Sequence, residues 1–320
     1  MLKYSILLLF TASLMFSCKN SSKKTEQDQK QEVTLYTHRH YDSDKVIFEK
    51  FEQKTGIKIN VVKASADALI QKLESEGKQT PADLLLTVDA GRLVRAKNKG
   101  LLQSVDSKIL ESTIPSYLKD QENEWFGLTK RARIIAYSKE RVNPEELSTY
   151  KALTESKWKN KILIRASSNI YNQSLLASII ANNGKTEAKK WAEGIITNFA
   201  RVPKGNDRDQ IKAILAGEGD LAIVNTYYIG KLLNSKDPVE VNAAKAVGLF
   251  FPNQDDSGTH INISGIGVTK HAPNSANAIK FMEYLVSKEV QEIFAKTNYE
   301  YPVNAAANTS ELLTSWGNFK

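Results

Sequence analysis

Residues 33–62, VTLYTHRHYDSDKVIFEKFEQKTGIKINVV, set a strand, a helix and a second strand in direct succession. Val33-Thr34-Leu35-Tyr36 reads as a short strand. Asp44 begins a helix with Val46, Ile47 and Phe51 on one side, and Gly56 ends it. Asp42 and Asp44 suit the cap of that helix, because a short side-chain oxygen can accept from its free N–H groups. Ile57–Val62 is β-branched and strand-like. The order continues outward: Ser65 caps a helix carrying Leu69, Ile70 and Leu73, Ala82–Leu86 is a buried strand, and a helix runs from Asp89 to Lys99 before Gly100. After Trp125-Phe126-Gly127 the pattern restarts. Strands are expected at 133–137, 161–165, 221–224, 247–251 and 261–268. Helices are expected at 170–182, 186–199 and 207–216, with stops at Gly184 and Gly217, and one long helix over 275–296. Alternation of this kind predicts parallel sheets wrapped by helices on both faces. Two such units in one chain imply a cleft, with ligands beyond the carboxyl ends of the strands.

The bulk properties narrow the setting. Lys3 followed by the apolar run Ile6–Phe10 is too brief to span a bilayer and breaks at Ser17-Cys18, which reads as a lipoprotein signal of residues 1–17 with Cys18 as the lipidated residue. Cys18 is the only cysteine, so an exported chain of this kind has no internal disulfide and relies on packing. Residues 19–32 (KNSSKKTEQDQKQE) contain no apolar side chain, and 18–32 is therefore expected to be a flexible tether. The formal charge of +8 comes mainly from single lysines interleaved with glutamates, the pattern of solvated faces with some attraction to anionic lipid rather than of a nucleic-acid binder.

Three tyrosine-bearing segments stand just after strands: Thr37-His38-Arg39-His40-Tyr41, Ser168-Asn169-Ile170-Tyr171-Asn172 and Asn225-Thr226-Tyr227-Tyr228. A tyrosine at a helix start is ordinarily a packing residue. The adjacent pair Tyr227-Tyr228 is more informative, since neighbours converge on one point only where a strand is already turning. His38 is assigned a solvated role, His260 an interlobe connection and His271 a surface turn. There is no GxSxG, HExxH or GxxxxGK[ST], and Gly265-Ile266-Gly267 lacks a third glycine. An enzymatic reading would rest on Asp207, Asp209 or Glu218, which sit in a helical stretch resembling ordinary surface.

The segments VTLYTHRHYDSD, PADLLLTVDAGRL, WFGLTKRARIIAYSK, NIYNQSLLASII, GDLAIVNTYYIGKLL and GTHINISGIGVTKHAPN span nearly the whole mature chain. Together they resemble the periplasmic ferric-iron-binding proteins of ABC importers, in the branch whose iron site includes a histidine. That resemblance implies a two-lobed periplasmic-binding-protein fold, type II-like, with two interlobe crossovers near 126–137 and 248–268. Lobe 1 is then 33–131 with 248–297, and lobe 2 is 132–247 with 298–320. The family's metal ligands carry over onto His40, Tyr41, Tyr171, Tyr227 and Tyr228. Arg131 and Arg133 match the region of a synergistic carbonate or similar anion. The implied partners are an ABC permease and its cytoplasmic ATPase, with a monomer anchored by lipid at a bacterial membrane, periplasmic, and no nucleic acid. The chemistry is consistent: Fe³⁺ is a hard ion that prefers anionic oxygen, and bound metal makes a phenol far more acidic than its usual pKa of about 10. The alternative cargo is an organic or anionic solute, such as a polyamine, thiamine or a phosphonate, stacked on the same tyrosines.

Overall fold

The computed structural model describes residues 31–39 and 41–320. The expected signal segment, Cys18, most of the expected tether and His40 lie outside the described residues. The first strands follow the sequence pattern closely. β1 (Glu32–Thr37) pairs in parallel with β2 (Lys58–Lys63) on one side and with β3 (Leu84–Thr87) on the other. Three helices connect and cover them: α1 (Asp42–Thr55), α2 (Ala66–Glu76) and α3 (Ala90–Asn98). Gly56 ends α1 in the left-handed region that glycine tolerates, with its N–H on Glu52 O. The Ser65 side chain caps α2 through Ala68 N as expected. Helix α1 differs. Its cap position is Tyr41, without a side-chain cap bond, and Asp44 instead binds the Arg39 guanidinium at 3.0 Å. A buried guanidinium needs a charge partner more than a helix end needs a neutral cap.

After α4 (Lys108–Thr113), β4 (Phe126–Ser138) decides the architecture. Its first half pairs with β8 (Ile261–Val268), and its second half pairs with β6 (Leu221–Asn225) and β7 (Val247–Phe250). One continuous strand therefore belongs to the sheets of both lobes. The chain returns from β7 to β8 through residues 251–260. Strand order is β2-β1-β3-β8-β4-β6-β5, with β5 at Ile162–Leu163, and β7 and β9 (Tyr301–Pro302) pair with β4 off this path. The all-parallel sheet expected from the alternation is corrected to a mixed one. β8 runs antiparallel to β3 and to β4, because a chain that leaves one lobe and comes back must cross in opposite directions.

In the second lobe, α5 (Ile170–Ile196) carries a non-helical Gly184 at φ 81°, the stop read from the sequence. It is followed by α6 (Asp207–Leu215), α7 (Thr226–Leu233) and α8 (Pro238–Ala246). β5 is shorter than the 161–165 strand anticipated, since the Lys161 N–H turns back to Trp158 O and Asn198 O. The long helix over 275–296 is broken into α9 (Ser275–Leu285) and α10 (Lys288–Ile293), with Ser287 extended between them and a π turn at Phe294–Asn298. α11 (Glu311–Ser315) follows β9. Separate apolar cores support the two lobes. One is built on Leu35, Ile47, Phe51, Phe126 and Phe281, and the others on Ile134, Ile211 and Leu232 and on Trp158, Leu175 and Ile223. Among the described residues, no helix is long and apolar enough to cross a membrane.

Candidate functional site

The four described tyrosines from the sequence reading converge on one cleft. Tyr41 follows β1 and precedes the first turn of α1. Tyr171 is the second residue of α5, whose Asn169 cap accepts from its backbone N–H at 3.0 Å. Tyr227 and Tyr228 open α7 directly, because β6 ends at Asn225 and the helix begins at Thr226 with no loop between. Each phenol thus stands at a helix start, where unpaired N–H groups and the helix dipole favour developing negative charge. The cleft is a cavity of about 1020 Å³ lined by these four tyrosines together with Arg165, Arg208 and Lys231, among others.

The phenols are close enough to act together. Tyr171 and Tyr227 share a hydrogen bond between their hydroxyls at 3.2 Å. The Tyr227 and Tyr228 rings lie 4.3 Å apart at 31°. Tyr41 faces them from the other lobe, with Lys231 Nζ 3.8 Å from its ring centroid and 5.3 Å from that of Tyr227. Burial raises the phenol pKa of Tyr41 and of Tyr227 well above the ordinary value, and neighbouring acidic groups add to it, Glu300 at Tyr41 and Tyr171 at Tyr227. Tyr228 is pushed up to about 12, by burial first and then by Tyr171 and Asp207. Burial lowers Lys231 to about 8. The cleft is therefore a cluster of neutral phenols beside cationic side chains, reluctant to ionise until a positive charge arrives.

The two arginines of the sequence reading divide in role. Arg133 is 2% exposed and committed, with Nη1 on Asp207 at 2.7 Å and on Asn225 at 3.2 Å, and Nη2 on Asn172 at 2.9 Å. Arg131 is 1% exposed, and its one bond is a long 3.5 Å contact from Nη1 to Ser264. Its Nε and Nη2 have no hydrogen-bond partner among the described residues. Burial opposes its charge, but Tyr171, Glu300, Tyr227 and Tyr41 outweigh it and hold the guanidinium more basic than usual.

Sequence reasoning missed several neighbours. Lys231 was findable, since it lies four residues after Tyr227 on the same helix face. Arg165 ends the KILIR stretch at the carboxyl end of a strand, a position the strand rule marks for inspection. Glu300, fully buried, with Oε1 accepting from Ser264 and Oε2 4.0 Å from Arg39, has no local signal. Two expectations are corrected. Both ring nitrogens of His38 are buried rather than solvated. Asp207 is not a surface carboxylate: it is fully buried and holds Arg133 and, at 3.5 Å, Arg165.

The chain is similar to several known proteins. The family described as bacterial extracellular solute-binding protein matches residues 47–320. The chain is 49% identical over 312 residues to Iron uptake protein A1 of Synechocystis, covering 97% of this chain and 87% of that protein. A Trichodesmium structure described as IdiA (FutA) in complex with iron and citrate ligands superposes with a TM-score of 0.87 at 51% identity, over 90% of this chain and 92% of that one. The ferric binding protein from Campylobacter jejuni superposes at 0.86 with 47% identity, over 90% and 92%.

Proposed function

Because the chain belongs to the bacterial extracellular solute-binding proteins, we propose that it carries ferric iron outside the cytoplasm and delivers it to an ABC-type importer. The observation that carries this reading is the convergence of Tyr41, Tyr171, Tyr227 and Tyr228 on one cleft, with two hydroxyls already 3.2 Å apart. Phenolate oxygen is the hard anionic donor that Fe³⁺ prefers, and His40 adds a neutral donor. Four phenolates exceed the ion's charge by one. Arg131, buried behind Tyr171 with its guanidinium carbon 5.8 Å from that ring, supplies the offset. A carbonate or similar anion can join from the Arg131 side, while Arg133 stays with Asp207. Because the phenols start neutral, capture expels their protons, and acidification favours release. Lobe 2 presents three of the phenols, so it takes the ion first, and closure brings Tyr41. The loaded form docks on a permease driven by its ATPase, and Cys18 tethers the carrier to the membrane.

The test is direct. Ferric citrate added to metal-free protein gives a visible tyrosinate-to-iron band. The triple variant Tyr171→Phe, Tyr227→Phe, Tyr228→Phe loses most of that band and at least about a thousandfold in ferric affinity, as expected for removal of three anionic donors worth more than about 1.4 kcal/mol each. Retention of iron by that variant at the parent's affinity refutes the assignment.

A further inference from the structure

Asp89 stands at the cap position of α3 with extended backbone, φ −155° and ψ 129°, the residue type and geometry that normally cap a helix. It does not do so. Its carboxylate makes no cap bond and is turned towards the other lobe, where Oδ2 accepts from Ser174 Oγ at 2.7 Å. Ser174 lies on α5, three residues after Tyr171, and so on the same helical face as that phenol. The same Oδ2 accepts from Asn262 Nδ2 at 2.6 Å, on the returning strand β8. Asn262 takes over the vacated task, since its Oδ1 accepts from Ala90 N at 3.1 Å at the start of α3. Asp89 is fully buried, and its Oδ1 has no hydrogen-bond partner among the described residues. Gly91 leaves the room: a Cβ there would sit 2.9 Å from that Oδ1.

We propose that Asp89 is a positioning residue that latches the two lobes, exchanging the capping of α3 for a bond to Ser174 when the cleft closes. The carboxylate has two sets of partners. In the closed arrangement it holds Ser174 and Asn262, and Asn262 serves the helix. When α5 withdraws, Ser174 leaves, and the free N–H groups of α3 are the nearest replacement for the lost donor. Each arrangement gives the carboxylate a second donor beside Asn262, so neither lobe position is strongly favoured without cargo, and a modest difference in affinity for the ion decides which one is populated. Because the bond sits one turn from Tyr171, closing it also sets where that phenol faces Tyr41. The link to ferric iron rests on the function proposed above; the latch itself does not.

The experiment separates the two. Ser174→Ala removes the donor while keeping a good helix former, and Ser174→Thr keeps the hydroxyl. Small-angle X-ray scattering of the metal-free protein reads lobe closure, and transfer of iron to excess EDTA reads release. Ser174→Ala is expected to enlarge the radius of gyration of the metal-free protein and to speed release about tenfold, the effect of losing a hydrogen bond to a charged group. The wavelength of the iron band stays unchanged, because the donors are intact, and Ser174→Thr restores the parent's compactness and rate. Asp89→Asn in the Ser174→Ala background adds less than it does alone, as one shared bond requires. A Ser174→Ala protein as compact as the parent overturns the latch, as does a Ser174→Thr protein that behaves like Ser174→Ala. If the parent shows no iron band, the proposed cargo fails, while the scattering comparison still decides the latch.

Discussion

Asp207 offers the sharpest test of how the second lobe is held. Its carboxylate is fully buried at the start of α6, with Arg133 Nη1 at 2.7 Å, Asn225 N at 2.9 Å and Arg165 Nη1 at 3.5 Å. Asp207→Asn keeps the volume and one acceptor oxygen but removes the charge. Breaking a buried pair by neutralising one partner costs about 3–5 kcal/mol, because the other charge is left in a poorly solvating interior. Here Asn225 and Asn172 still accept from Arg133, at 3.2 and 2.9 Å, which places the cost at the lower end, about 3 kcal/mol. For a chain of this size that corresponds to roughly 5 °C in Tm. Urea unfolding of the metal-free protein should show a lower midpoint with an unchanged slope. The Arg133→Met, Asp207→Asn double variant should recover part of the loss, since the fully buried guanidinium is then gone and only the more exposed Arg165 has lost its partner. A second readout is independent of stability: Asp207 helps to raise the Tyr228 phenol, so its neutralisation should bring that phenol down from about 12 in an ultraviolet titration compared against Tyr228→Phe. An unfolding free energy within about 1 kcal/mol of the parent's refutes the claim that Asp207 compensates a buried guanidinium.

Two further outcomes follow from the same geometry. Burial, with Arg133 nearby, lowers His260 to about 4 against an ordinary 6.5. The unfolded chain then takes up a proton at His260 between about pH 6.5 and 4 that the folded chain refuses. The metal-free parent should lose up to about 3 kcal/mol across that window from this one group. His260→Gln should flatten that part of the stability profile, and equal slopes in parent and variant contradict it. At Gly230, a Cβ would fall 2.4 Å from Cγ of Tyr299, which is itself held in the left-handed region at φ 58°. Gly230→Ala should therefore cost about 1–3 kcal/mol and, by displacing α7 with Tyr227 and Tyr228, weaken ferric retention. Thermal melts and the visible band measure both, and an unchanged melt removes the packing argument.

The sequence by itself determined the local elements and marked where candidate site residues stand. Strand and helix periods are written into neighbouring residues, so β1, α1, β2, the Ser65 cap and the Gly184 interruption could be read before any fold was known. The tyrosines could be singled out because all four described ones stand where a strand gives way to a helix, and such junctions gather at one edge of an α/β sheet. Their resemblance to a known family added the ligand set. Only the tertiary structure decided direction and pairing. That β8 runs antiparallel to its neighbours, that Asp44 goes to Arg39 rather than to a helix cap, and that Asp207 is a buried counter-charge all depend on which distant segment arrives alongside. A hydrophobic period tells a side chain which way to face but not what it will meet. The partner of a buried charge is set by desolvation, which has no value until the chain has closed around it.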